Sequence, residues 1–197
     1  MLRIMIMAAG ESSRFEGCKL LAHVDGVPML HRTAMVAREL VDSPAQICAV
    51  TGAWHEEIQL AQDKGEIVDV SLLYNPDWEQ GLGNSIAFAV QQLKAKTDQL
   101  LILLADQVAI NPEELKDLLK AAEGSDIACA FYSGKSGVPA VFGRKVFPLL
   151  EQLNGDRGAK ELLNSEDLKV TALPMDSAAI DIDRENELKS YHRLLKA

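Results

Sequence analysis

Apolar positions along the chain gather into short unbroken runs rather than alternating with polar ones. Such runs appear at Leu2–Met7, Gln46–Thr51, Val68–Leu73, Leu100–Leu104 and Asp126–Phe131. Continuous apolar strands suit a sheet covered on both faces. Between them the period changes to that of a helix. Met29 to Leu40 sets Met29, Leu30, Thr33, Ala37 and Leu40 on roughly one face, and further helices are predicted over Ser85–Leu93 and Pro112–Ala122. Asn111-Pro112-Glu113-Glu114 has the chemistry of a helix start: a capping side chain, a first-turn proline and acids at the positive end of the dipole. Strand and helix in alternation predict βαβ units and an α/β fold, a doubly wound, mostly parallel sheet with helices on both faces.

The pattern loosens after Phe131. Gly134, Gly137 and Pro139 interrupt a strand-like region, Val146–Leu153 reads as a helix, and Asn154-Gly155-Asp156-Arg157-Gly158 as a turn leading into Ala159–Leu163. Two short strands are predicted at Lys169–Leu173 and Ala179–Ile182, then a last helix from about Arg184. No repeat, low-complexity tract or linker divides residues 1–197, which predicts a single domain.

Composition narrows the function classes. The formal net charge is -9, the wrong sign for a nucleic-acid binder, which carries a basic face. An acidic protein that binds an anionic small molecule needs local cations, backbone donors or a metal ion to offset its own field. No apolar run approaches the roughly 20 residues that span a bilayer, and the first strand begins almost at Met1 with no basic leader, so neither a membrane span nor a signal peptide is expected. Three well-separated cysteines, Cys18, Cys48 and Cys129, predict free thiols and a cytoplasmic location.

In open α/β sheets, ligands bind beyond the carboxyl ends of the strands. Three loops at such ends carry unusual chemistry. Ala8-Ala9-Gly10 follows the first strand, with Ser12, Arg14 and Lys19 close behind. Small side chains let a base or a phosphate approach the backbone, while the guanidinium and ammonium suit phosphate oxygens. This loop is neither a Walker A nor a GxGxxG element, and by spacing alone it reads equally as a tight turn with solvated charges. Asp106, directly after a buried strand, stands where a divalent metal could be held over phosphates, or where a turn needs an aspartate. Asn75 to Ser85 holds Gly81, Gly83 and Ser85 before a helix, able to present backbone N–H groups to a ligand or simply to turn. Late in the chain, Ile180-Asp181-Ile182-Asp183 alternates acid and apolar residues, and one of its acids could join Asp106. No Ser-His-Asp or Cys-His arrangement stands out.

Together these pieces resemble the molybdenum cofactor cytidylyltransferase family, within the MobA-like nucleotidyltransferases. The family's L-A-A-G-x-S-x-R-M-G-x-x-K loop is matched by Met7 to Lys19, its V-T-G by Val50-Thr51-Gly52, and its N-P-x-W-x-x-G-M-x-x-S by Asn75 to Ser85. Its L-L-A-D-Q-P is matched by Leu103 to Val108, G-x-P-x-x-F by Gly137 to Phe142, G-D-R-G-A by Gly155 to Ala159, and D-I-D-T-P-E-D-L by Asp181 to Leu188. The resemblance implies transfer of CMP from CTP to the phosphate of molybdopterin, with release of pyrophosphate and with Mg²⁺ as cofactor. It places Ala8, Ala9 and Gly10 against the base with Gly83 and Ser85 on its other side, and Ser12 in the same nucleotide-binding loop. Arg14 and Lys19 would grip the triphosphate, and Asp106 would hold the metal with Asp183 or Asp181. It further implies a molybdenum hydroxylase as a partner. Ala9, where the guanylyl branch has a second glycine, is closer to the cytidylyl branch. Glu16, Cys18 and Val138 depart from the family's glycine, aspartate and histidine, and Arg184-Glu185-Asn186 from Thr-Pro-Glu. Val138 keeps open a related transferase with a sugar-phosphate or isoprenoid-precursor acceptor. A non-catalytic carrier is the third reading, against which the presence of Arg14, Lys19 and Asp106 argues.

Overall fold

In a computed structural model that describes residues 1–194, the chain folds as strands and helices in near alternation. The elements are β1 (Leu2–Ala8), the small hairpin β2 (His23–Val24) and β3 (Val27–Pro28), α1 (Met29–Arg38), β4 (Ile47–Thr51), α2 (His55–Asp63), β5 (Ser71–Tyr74), α3 (Leu82–Leu93), β6 (Gln99–Leu104), α4 (Pro112–Ala122), β7 (Ile127–Tyr132), β8 (Lys135–Gly143), α5 (Phe147–Leu150), β9 (Val170–Pro174) and α6 (Glu185–Leu194). One seven-stranded sheet has the order β5-β4-β1-β6-β8-β7-β9. Its pairs are parallel except those of β8, which runs antiparallel to both β6 and β7.

The apolar runs are strands buried on both faces. In β1, Ile4, Ile6 and Ala8 join the core under α1, α2 and α4, whereas Met5 and Met7 join the core under α3 and α5. A chain with period two and apolar residues at both parities has no solvent face to present, so it can only sit centrally. The predicted start of α4 is realised as a capping box: Asn111 Oδ1 accepts from the Glu114 N–H, and Glu114 Oε2 accepts from the Asn111 N–H.

Several expectations need correction. The strand predicted over Val68–Leu73 covers only Ser71–Tyr74, because Asp69 sits at φ 59° and turns the chain. Val146–Leu153 yields a 3₁₀ turn and then α5 alone. Ala179–Ile182 is not a strand. A 3₁₀ turn spans Asp176–Ala179, and the Ile182 N–H then donates to the Asp106 carbonyl at 3.1 Å. The interrupted region after Phe131 is the nine-residue β8, with a register irregularity opposite Cys129 and Ala130 that takes up the break.

Both β1 and β6 end at the same edge of the sheet, with Ala8 and Leu104 as their last residues. The parallel register Met7↔Leu104 therefore brings the Ala8–Lys19 loop and Asp106 together at the carboxyl end.

Candidate active site

A cleft of about 540 Å³ opens at this edge. Its walls include Ala8, Ala9, Gly10, Ser12 and Arg14 from the first loop, Lys19 from the following 3₁₀ turn, Ser85 at the start of α3, Asp106 after β6, and Asp183. Residues as far apart as Ala8 and Asp183, 175 positions in sequence, thus share one cavity. Gly83 does not line it, contrary to expectation. Its N–H donates to the Gly155 carbonyl at 2.7 Å, and a Cβ there would lie 2.6 Å from the Asn154 carbonyl oxygen. Gly83 is where the Asn154–Gly158 turn docks on α3, and Gly81 and Leu82 form the wall instead.

The first loop is pinned at two points by the segment that follows β4. The Trp54 indole N–H donates to the Glu11 carbonyl at 2.9 Å, and the Ala53 N–H donates to the Ala9 carbonyl at 3.1 Å. Gly52 makes this possible, since a Cβ at 52 would stand 2.5 Å from the Ala9 oxygen and 2.5 Å from Trp78 Cβ. A Cβ at Gly10, by contrast, meets nothing within 4 Å, so that position is open toward the cleft.

Four charged side chains of the cleft wall contact one another. Lys19 Nζ donates to Asp106 Oδ2 at 2.7 Å and to Asp183 Oδ1 at 2.9 Å. An Arg14 Nη2 lies 2.8 Å from Asp183 Oδ2. Burial disfavours the Lys19 ammonium, but Asp106 and Asp183 outweigh it and raise its pKa above the usual value. For Asp183, burial opposes ionisation, yet Lys19, Arg14 and Arg184 together hold its pKa below the usual carboxylate range. Asp181 behaves oppositely: partial burial, then repulsion from Asp106 and Asp183, pushes its carboxyl up. It does not line the cleft.

Asp183 is placed by backbone contacts. Ile182, 1% exposed, anchors the segment under Asp106, and Glu187 Oε2 accepts from the N–H groups of both Asp183 and Arg184. Asp106 Oδ1 is buried with no hydrogen-bond partner, an oxygen free to take a cation. Among the described residues no group of three or more His, Cys, Asp or Glu is arranged to hold a metal ion. Two carboxylates with one orphaned oxygen nevertheless fit Mg²⁺, which is commonly held by one or two carboxylates plus substrate phosphates.

The sequence reading missed several residues. Trp78, Glu79, Leu104 and Asp156 also line the cleft. Gln107, next to Asp106, donates to the carbonyls of Val138 and Ala178 at 2.9 and 2.8 Å, tying β6 to the last third of the chain. Asp156 had a signal, its place in the Gly155–Ala159 motif, but a turn explained it equally well.

The MobA-like NTP transferase domain profile matches residues 4–170. Curated relatives include PucB and GlmU proteins. Purine catabolism protein PucB of Bacillus subtilis (strain 168) is 28% identical over 180 residues, 89% of this chain and 80% of PucB. The bifunctional protein GlmU of Sorangium cellulosum (strain So ce56) is 28% identical over 151 residues, 73% of this chain; the chain spans only 31% of GlmU. Among solved structures, Rv0371c from Mycobacterium tuberculosis H37Rv superposes with a TM-score of 0.80 at 22% identity, covering 100% of this chain and 98% of that one. A manganese complex of Rv0371c gives 0.75 at 23%, with the same coverage. Molybdopterin-guanine dinucleotide biosynthesis protein A from Archaeoglobus fulgidus gives 0.71 at 15%, covering 100% and 99%.

Proposed function

Since the chain belongs to the MobA-like NTP transferase domain family, we propose that it transfers CMP from CTP to the phosphate of molybdopterin or its metallated form, releasing pyrophosphate. One observation carries this reading. A single cleft is lined both by nearly bare backbone, Ala8 to Gly10, and by Arg14, Lys19, Asp106 and Asp183. That is the layout for a flat base joined to a polyphosphate.

The chemistry needs no nucleophile from the protein. An oxygen of the acceptor phosphate forms a bond to the α-phosphorus of CTP as the bond from that phosphorus to the β-bridging oxygen breaks, and the electron pair leaves with pyrophosphate. Catalysis is then positioning and charge stabilisation. Ala8, Ala9 and Gly10 admit the base, with Ser85 opposite them, and Ser12 belongs to the same loop. Arg14 and Lys19 bind the phosphate oxygens on which charge accumulates; donors of this kind contribute about 3–4 kcal/mol to a transition state. Asp106 and Asp183 would hold Mg²⁺, which when bound draws charge from the phosphates as a Lewis acid. Lys19 bridges these two carboxylates in the free protein and keeps them paired until substrate arrives.

The molybdopterin acceptor is supported by the motif resemblance and by the archaeal molybdopterin-guanine dinucleotide biosynthesis protein among the similar folds. A molybdenum hydroxylase would then receive the product. Residues 1–197 would act as one domain, in the cytoplasm; no described helix is long and apolar enough to cross a membrane. Val138 favours a second reading. Where the resembled family has a histidine it is an apolar side chain packed against the core, so it offers no polar group to a pterin, and the acceptor in this reading is a sugar phosphate or an isoprenoid precursor. The test is pyrophosphate release from CTP and Mg²⁺ with each acceptor in turn. Release with molybdopterin supports the first reading, release only with another acceptor supports the second, and no release with any acceptor or triphosphate contradicts both.

A further inference from the structure

The two acids suited to a divalent cation have little oxygen left to offer one. Asp183 is engaged at both carboxylate oxygens: Lys19 Nζ donates to Oδ1 at 2.9 Å, and Arg14 Nη2 lies 2.8 Å from Oδ2. Asp106 Oδ2 accepts from the same Lys19 Nζ at 2.7 Å. Of the four oxygens only Asp106 Oδ1 has no partner among the described residues. The acids are the anchored side of this cluster. The Ile182 N–H donates to the Asp106 carbonyl, which ties the two segments together, and the Asp183 N–H donates to Glu187 Oε2. Arg14 is the loose side, with its side chain 59% exposed and the loop before it turning through Ser12 at φ 56°.

Arg14 and Lys19 are also the groups that a polyphosphate recruits. An ammonium has three donors, and two of those on Lys19 are committed to the acids, so a second phosphate contact displaces a carboxylate contact. We propose that these contacts form an autoinhibitory latch: in the free protein Arg14 and Lys19 close the divalent-cation site on Asp106 and Asp183, and a bound triphosphate opens it by drawing both side chains onto its phosphates. This rests on the nucleotide-binding reading above and adds an order to it. The free chain, despite its net charge of -9, takes up little Mg²⁺. Asp183 works against metal-free nucleotide because it competes for the same guanidinium and ammonium. Linkage makes the effect reciprocal: nucleotide and divalent cation raise each other's affinity by the same factor. Plain repulsion between a carboxylate and the phosphates would weaken metal-free binding as well, but it does not depend on Arg14.

Isothermal titration of CTP in EDTA into the native chain, Asp183→Asn, Arg14→Ala and the double variant separates latch from repulsion. Asp183→Asn should bind metal-free CTP about tenfold more tightly than the native chain, a coupling of ordinary size. On the Arg14→Ala background the same change should gain only about threefold, since one of the two cationic side chains it frees is missing. If Asp183→Asn does not fold, Asp183→Ala replaces it with the same expectations. The second arm titrates Mn²⁺ without nucleotide, read from the loss of the free-ion paramagnetic resonance signal. Lys19→Met, or Lys19→Gln if that chain does not fold, should bind Mn²⁺ about tenfold more tightly than the native chain. Adding Asp106→Asn should abolish that gain. No gain in the Asp183 variant, an equal gain on both backgrounds, or equal Mn²⁺ affinity of the native chain and the Lys19 variant would overturn the latch and leave the transferase reading standing. A native chain that binds no triphosphate even with Mg²⁺ would overturn both.

Discussion

Lys19→Met preserves the length of the side chain and removes the charge that joins the two halves of the acidic site. In the native protein the ammonium contacts Asp106 at 2.7 Å and Asp183 at 2.9 Å, with the three side chains 14%, 19% and 25% exposed. These pairs are neither solvated nor dry. Exposed pairs contribute roughly 0.2–1 kcal/mol, and breaking a fully buried one costs about 3–5 kcal/mol. Two contacts of intermediate burial place the loss near roughly 2 kcal/mol by the same scale. For a chain of this length that lowers the melting temperature by roughly 4–8 °C. Arg14 still faces Asp183, so the unmet charge falls mostly on Asp106, whose Oδ1 already lacks a partner. If those carboxylates are where Mg²⁺ belongs, millimolar Mg²⁺ should restore several degrees to Lys19→Met and much less to the native chain, in which the ammonium competes for the same oxygens. Thermal melting by circular dichroism, with and without Mg²⁺, measures both effects. Equal melting temperatures for the two proteins, or equal stabilisation of both by Mg²⁺, would refute the reasoning.

Other outcomes follow from the same geometry. Asp106→Asn should cut pyrophosphate release by about 10²–10³-fold, comparable to removing one transition-state contact, while its melting temperature stays within a few degrees of native. Gly52→Ala puts a Cβ 2.5 Å from both the Ala9 oxygen and Trp78 Cβ; overpacking of this kind costs about 1–3 kcal/mol, and calorimetry should show weakened triphosphate binding together with a lower melting temperature. The stability gap between the native chain and Lys19→Met should depend on pH at both ends. The Asp183 contribution is present above its unfolded value of 3.8 and lost as pH falls through its depressed folded value, whereas the Lys19 contribution is present below 10.5 and lost as pH rises through its raised folded value. Melting curves should therefore show a flat gap between those limits that narrows beyond each.

The central strands were legible because a run such as Leu2–Met7 leaves no solvent face, whatever surrounds it. Helix α2 was not, since only Ile58 and Ala61 of its nine residues are buried and Trp54 gives its start no side-chain cap. The Asp181–Asp183 alternation resembled an edge strand. In fact it records one buried residue, Ile182, that anchors two acids beside Asp106. Arg14, Lys19, Asp106 and Asp183 stood out because cations and acids at strand ends are unusual in an acidic chain. Asp156 did not, because polar turn residues have ordinary local uses. It takes on significance only when the Asn154–Gly158 turn docks on α3.

The central claim is that this cleft performs nucleotidyl transfer, with attack at the α-phosphorus. CTP labelled at the α-phosphorus, incubated with the protein, Mg²⁺ and molybdopterin, tests it most directly. The account predicts that the label appears in a dinucleotide of the pterin while unlabelled pyrophosphate is released in equal amount. Label recovered only in free CMP or CDP, with no acceptor adduct, would contradict it.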